Sequence, residues 1–327
     1  MTRNPRMMSM VALVGTGLVA LSACGGQSST GGGGSTSGGS GAALSGSVAI
    51  DGSSTVAPLS EAAATMYRDK QSGVNVTVAT SGTGGGFKKF CAGETDISDA
   101  SRPIKDEEKA ACKAKGIEFQ EIVIANDGLS VVVNPDNTWA QCLTLDHLKK
   151  MWAPASEKKV VNWNQIDPKF PNQPLKLFGA GTDSGTFDYF TEAVNGKEGA
   201  SRTDYSPSED DNVTIQGVQG DKGAVGYFGL SYVEENQGKI KAAEIDGGSG
   251  CVAPSSKTVQ DGTYKPLGRP LFIYVNSKSY KDKAQLRDFI DFYVENEAKI
   301  ADEARFIGLT EAQKKKAQDE LAAIAGK

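Results

Sequence analysis

The sequence predicts an α/β fold built as two lobes with a ligand cleft between them. Three observations carry that prediction. Short β-branched runs alternate with helix-like runs along most of the chain, the pattern of strand–helix units with largely parallel sheets. The folded part, about 280 of 327 residues, is more than one core usually holds. And two short strands, Leu129 to Asn134 (LSVVVN) and Leu271 to Asn276 (LFIYVN), echo one another on either side of an intervening segment.

The elements follow in order. Ser47 to Asp51 reads as a strand, Val56 to Arg68 as a helix, and Val74 to Ala79 as a strand with β-branched residues on alternate positions. Gly86 to Cys91 opens a second helix, Lys105 to Lys115 a third, and Glu118 to Ala125 a further strand. Between the echoing strands lie strand–helix units of their own: Leu175 to Phe178, Phe187 to Val194, Ala224 to Phe228 and Lys239 to Ile245. After the second echo the chain is helical. In Lys283 to Glu295, Leu286, Phe289, Ile290 and Tyr293 recur at helical spacing. The simplest organisation places residues 45–128 and 269–327 in lobe 1 and inserts residues 129–268 as lobe 2. The chain then crosses between lobes twice, and a ligand is expected in the cleft.

The ends and the cysteines set the compartment. Arg3 and Arg6 precede a short apolar stretch, Met7 to Leu21, which closes in Leu21-Ser22-Ala23-Cys24. Residues 1–23 read as a secretory signal, and the ending resembles the bacterial lipobox, which implies lipidation of Cys24. Residues 24–44 form a Gly/Ser-rich tether with a reach of roughly 25 Å. Loss of the two leader arginines takes the net charge from -5 to about -7. A mildly acidic chain without a folded Lys/Arg cluster does not predict nucleic-acid binding. Cys91, Cys112, Cys142 and Cys251 remain, an even number that in an exported protein predicts two disulfides. Of three possible pairings, Cys91–Cys112 and Cys142–Cys251 are favoured. The spacings match no common zinc pattern, and His147 is the only histidine. It lies in a helical stretch after a Thr144 cap, and a surface or interface role is expected for it.

Three stretches rich in Gly, Ser and Thr follow a strand and precede a helix: DGSSTVAP (51–58), SGTGGGF (81–87) and GTDSGTF (181–187). The first N–H groups of a helix lack intrahelical partners and favour negative charge. Glycine lets the backbone approach, and hydroxyls add donors, so such loops hold an oxyanion. One loop of this kind is most simply an N-cap; three in one chain point to a shared site. Nucleotide-loop patterns and the nucleophile elbow are absent. A fourth stretch, DISDASRP (96–103), adds Arg102, which is suited either to a bidentate clamp on an oxyanion or to an ion pair with Asp99 or Asp96.

Taken together, DGSSTVAP, SGTGGGFKKF, DISDASRPI, GTDSGTFDYF and GDKGAVGYFGLSY (Gly220 to Tyr232) resemble, in order, the motifs of the extracytoplasmic phosphate-binding proteins that serve phosphate ABC transporters. The resemblance covers essentially the whole folded part. It implies a type II periplasmic-binding fold. It also implies phosphate donors at Ser54, Thr55, Thr83 and Ser101, faced across the cleft by the helix start at Ser184, Gly185 and Thr186. The chain departs from the family pattern twice: Ser101 stands where the well-studied form has an Asp that accepts a proton from phosphate, and Ala180 stands where it has an Arg. Arg102 is expected to replace the charge, and Asp99 or Asp183 the acceptor.

The resemblance implies a phosphate-binding protein held outside the cytoplasmic membrane by a lipid anchor. It would act as a monomer without a cofactor, close about residues 126–134 and 269–276, and present phosphate to a transmembrane permease with no chemistry on the ligand. The alternatives are a protein for another tetrahedral oxyanion such as sulfate, a secreted phosphatase with Ser54 or Ser184 as nucleophile, and a surface sensor or adhesive protein on the same fold.

Overall fold

Among the described residues, Leu44 is the first to meet a core. Its amide donates to Gln71 Oε1 at 3.0 Å, and its side chain packs on buried residues of the first lobe. The computed structural model describes residues 43–326. The leader, Cys24 and nearly all of the tether lie outside them.

The first lobe begins with β1 (Gly46–Gly52), α1 (Ala57–Lys70), β2 (Val74–Thr80), α2 (Thr83–Cys91), β3 (Ile97–Ala100) and α3 (Asp106–Ala114). A long strand, β4 (Phe119–Val133), leads into the second. There the chain forms β5 (Cys142–Thr144), α4 (Leu145–Trp152), β6 (Lys176–Ala180), α5 (Gly185–Asn195), β7 (Ser206–Ser208), α6 (Asp211–Gly220), β8 (Ala224–Gly229) and α7 (Leu230–Glu235). Short strands β9 (Lys241–Ala242), β10 (Glu244–Asp246) and β11 (Cys251–Val252), then α8 (Ser256–Gln260), complete it. The return strand β12 (Gly268–Asn276) leads to α9 (Ser277–Asp282), α10 (Ala284–Glu295), α11 (Glu297–Glu303) and α12 (Glu311–Ala325).

One sheet of nine strands runs through both lobes in the order β2-β1-β3-β12-β4-β8-β6-β7, with β9 also on β4. Its two ends are parallel (β2 and β3 on β1, β7 and β8 on β6), and its middle is antiparallel, where β12 lies between β3 and β4 and β8 pairs with β4. The sheet is therefore mixed rather than largely parallel. The buried apolar residues separate cleanly. Two clusters draw on residues 48–125 and 271–324, and two on residues 129–267. The first includes Leu286, Phe289, Ile290 and Tyr293 of α10, all fully buried, as their spacing requires. In the second, Trp152 meets Phe190, Tyr205 and Tyr227 edge-on.

Two strand boundaries differ from the sequence reading. Glu118 to Ala125 and Leu129 to Asn134 are one continuous strand, because Asn126-Asp127-Gly128, turn-prone by composition, stays extended in the ladder opposite Pro270, Arg269 and Gly268. Asn126 is further held by its amide on the Ile307 carbonyl at 2.7 Å and its Nδ2 on the Gly308 carbonyl at 3.1 Å. Conversely, Lys239 to Ile245 breaks in two, β9 pairing with β4 and β10 with β5.

Both favoured disulfides are present: Cys91–Cys112 joins α2 to α3, and Cys142–Cys251 joins β5 to β11. His147 Nδ1 accepts the Thr144 amide at 3.3 Å within the cap of α4, and the ring lies edge-on to Phe170. Among the described residues no helix is long and apolar enough to cross a membrane.

Candidate functional site

Because β2 and β3 both run parallel to β1, their C-terminal ends share one edge of the sheet. At such an edge α/β folds bind ligands. The loops after these strands converge there. Gly52 closes β1 at φ +154°, and a Cβ there would sit 2.1 Å from the Asp99 carbonyl oxygen, so only glycine lets the loop turn this close to β3. The Ser53 amide then donates to that carbonyl at 2.9 Å. Asp51, buried beneath, receives Ser81 Oγ at 2.5 Å and pairs with Lys89, which ties the first loop to the second.

From lobe 1 the cleft is lined by Ser53, Ser54, Thr55, Gly82, Thr83 and Ser101. Thr83 Oγ1 lies 3.1 Å from Ser101 Oγ and accepts the Ser101 amide at 3.2 Å. Lobe 2 supplies Asp188, Tyr189, Glu192 and Glu198, from α5 and the loop after it. Arg269 of β12 lies between the two sets. The walls touch: Ser54 Oγ donates to Asp188 Oδ2 and Thr55 Oγ1 to the Gly185 carbonyl, both at 3.2 Å. A Cβ on Gly185 would stand 2.7 Å from the Thr55 amide nitrogen, so glycine is what permits this approach. Burial raises the Asp188 carboxyl above its ordinary range, while Ser54 and Arg269 pull it down. Burial also raises Glu198, helped by Asp188 and Glu192 beside it.

Of the residues expected from sequence, Ser54, Thr55, Thr83 and Ser101 come together. Ser184, Gly185 and Thr186 stand at the lobe contact rather than in the lining. Ser184 Oγ accepts the Thr186 amide at 3.1 Å and so caps α5, and Thr186 lines a separate recess with Pro58. Arg102 does not pair with Asp96 or Asp99; it lines a recess that adjoins the cleft and shares Ser101, Tyr189, Glu192 and Arg269 with it. Its guanidinium forks onto Glu108 at 2.9 and 2.8 Å, a partner six residues on that α3 brings back. Asp99 is also placed elsewhere: it is fully buried on β3, where Oδ1 accepts Ser60 Oγ at 3.0 Å, and burial pushes its carboxyl up to about 8. Asp183 is exposed on the outside of its loop. The cleft carboxylates are instead Asp188, Glu192 and Glu198, and its cation is Arg269. Asp188 was within reach of the sequence, since it lies in GTFDYF one helical turn after Ser184. Arg269 carried no signal beyond standing before an echoing strand.

The cation of the cleft is well held. Arg269 Nε donates to Asp127 Oδ2 at 3.3 Å, Nη1 to the Ser101 carbonyl at 3.1 Å, and Nη2 to Thr55 Oγ1 at 3.2 Å. Its guanidinium lies 3.3 Å from the centre of the Tyr189 ring, and the Tyr189 hydroxyl donates to the Pro266 carbonyl at 2.7 Å.

Comparison with known proteins places the chain in a family. Residues 37–297 match the model of the PBP superfamily domain. The chain is 49% identical over 264 residues to the protein SphX of Synechocystis, covering 81% of this chain and 79% of that one. It is 40% identical over 278 residues to the phosphate-binding protein PstS of Staphylococcus saprophyticus, covering 85% of each. Its structure is similar to the crystal structure of a possible phosphate-binding protein from Planctomyces limnophilus, with a TM-score of 0.82, 47% identity, and coverage of 86% of this chain and 99% of that one.

Proposed function

The chain belongs to the PBP superfamily, among the SphX and PstS phosphate-binding proteins, and from that membership we propose that it binds inorganic phosphate with high affinity outside the cytoplasmic membrane and delivers it to an ABC permease. The observation that carries this reading is the pairing of unlike walls. Hydroxyls on lobe 1 face a carboxylate on lobe 2, with Ser54 and Asp188 already in hydrogen-bond contact. Donors suit the phosphate oxygens, and a carboxylate suits the proton that phosphate keeps near neutral pH. Fully ionised sulfate has no such proton and would leave the acceptor unpaired and facing a second anion, which costs affinity.

In this reading Ser54, Thr55, Thr83 and Ser101 donate from lobe 1. The α5 start at Ser184, Gly185 and Thr186 joins them when the lobes close on the anion, since Gly185 already lies against Thr55. Asp188 takes the acceptor role expected of Asp99 or Asp183. The two lobes divide near residues 128 and 268, where their separate cores end, and they close about the β4–β12 ribbon. The ligand leaves unchanged. Cys24 carries the lipid anchor, supported by the Leu21-Ser22-Ala23-Cys24 ending; Cys24→Ser would then move the protein from the membrane to the soluble fraction. The test of the central reading is calorimetric titration of phosphate with sulfate in large excess. Tight one-to-one binding that ignores sulfate is expected. Equal competition would make this a general oxyanion site, and absence of phosphate binding would refute the reading.

A further inference from the structure

Arg269 sits where four parts of the molecule meet. Its strand, β12, is one half of the ribbon between lobes, and directly across the ladder is Asp127 of the other half. Its Nη1 and Nη2 reach lobe 1 at Ser101 and Thr55. Its flat face lies on Tyr189 of lobe 2, an arrangement in which ring and cation attract. Arg102 and Lys89, the cations nearest the loops, are committed to Glu108 and Asp51. Arg269 is thus the one cation among the described lining residues. A guanidinium has five N–H donors, and three are engaged. One N–H on each terminal nitrogen has no protein partner among the described residues, and a pair of this kind suits bidentate contact with an oxyanion.

We propose that Arg269 grips the bound oxyanion and couples its arrival to lobe closure, with Tyr189 as the contact on one lobe and Thr55 and Ser101 as the contacts on the other. This rests on the phosphate reading above. A ligand that engages the free donors holds the guanidinium in place, and the guanidinium holds the Tyr189 ring and the two lobe 1 loops together. Asp127, almost fully buried, anchors the other edge of the fork and keeps it from swinging out of the cleft.

The experiment uses the full chain in detergent and two readouts, phosphate affinity by calorimetry and phosphate-induced compaction by small-angle scattering. Removing Arg269 alone strands the buried Asp127 carboxylate, so the main variant is Asp127→Asn with Arg269→Gln, which removes both charges together. Its phosphate affinity is expected to fall about 100-fold, with compaction lost. Arg269→Lys keeps the charge but not the fork and should lose about tenfold. Tyr189→Leu should weaken compaction more than the contact loss in affinity alone requires. The double variant binding phosphate within about threefold of the parent, or compacting like it, would reduce Arg269 to a structural ion pair. A parent that binds no phosphate at all would instead overturn the reading on which this proposal rests.

Discussion

The two walls of the cleft are built from opposite chemistry. Lobe 1 contributes hydroxyls and loop backbone and brings no carboxylate into the lining; lobe 2 contributes Asp188, Glu192, Glu198 and an aromatic ring and brings no hydroxyl but that of Tyr189. The loops that look alike in sequence therefore do unlike work. DGSSTVAP and SGTGGGF bring Ser53, Ser54, Thr55 and Thr83 to the cleft, while Ser81 turns down to Asp51; in GTDSGTF the Ser184 hydroxyl is spent on its own helix and the residue facing the cleft is Asp188, four positions on. On the function proposed above, an anion between such walls would be held by its oxygens on one side and by its proton on the other. On the same reading, that division of labour would let a chain with Ser101 and Ala180 at its two departures from the motif pattern favour phosphate.

The comparison can be broken most directly at its acidic side. Asp188→Asn should reduce the preference for phosphate over sulfate by about 100-fold, because the amide no longer demands a proton from the ligand; competition calorimetry measures it, and an unchanged ratio would move the acceptor role to Glu192 or Glu198. Next is the contact between walls. Gly185→Ala puts a methyl group 2.7 Å from the Thr55 amide nitrogen and should weaken phosphate binding about tenfold by holding the lobes apart.

The third test separates a cleft carboxylate from a buried one. Asp99 holds its proton in the folded chain up to about pH 8 but releases it near the ordinary 3.8 when unfolded. Stability from this site is thus full below pH 4 and falls as pH rises toward 8. Asp99→Asn removes that dependence, so its melting-temperature advantage over the parent should grow between pH 5 and pH 8, by roughly 5 °C, with phosphate affinity nearly unchanged. A gap that stays constant across that range would mean that Asp99 is ionised in place. The smallest effect is expected from Arg305→Ala. Its Nη1 donates to both carboxylate oxygens of Glu235, at 2.8 and 2.9 Å, and so joins the lobes, but both partners are half exposed, so the loss should stay below about 1 kcal/mol in denaturant unfolding.

The strand–helix loops on lobe 1 were readable because everything they need is local: a strand end, a glycine, hydroxyls, then a helix. The pairings of Arg102 and Asp99 were not: the turn into α3 sets the first, by bringing Glu108 back onto the guanidinium, and strand alternation sets the second. In β3, Ile97 and Asp99 point to the core beneath α1, where Ser60 waits, and no local pattern in DISDASRP tells that face from the other. Arg269 was hidden for a different reason. Its partners Thr55, Ser101, Asp127 and Tyr189 lie between 80 and 214 positions away, so its place depends on the whole topology. The joining of two expected strands into β4 has the same origin: composition favours a turn at Asn126-Asp127-Gly128, and pairing with β12 overrules it.

That pairing has a mechanical consequence. Both connections between the lobes run side by side as neighbouring, hydrogen-bonded strands from Phe119 to Gly128 and from Gly268 to Asn276, so neither is a free hinge loop. A protease that nicked the exposed backbone of the inserted lobe, for instance near Gly248 to Gly250, would yield two fragments on a reducing, denaturing gel. Yet each fragment would still own one strand of the ribbon, and Cys142–Cys251 would bridge the cut. The particle should therefore elute from a sizing column at its original volume, and only reduction together with denaturant should release the pieces.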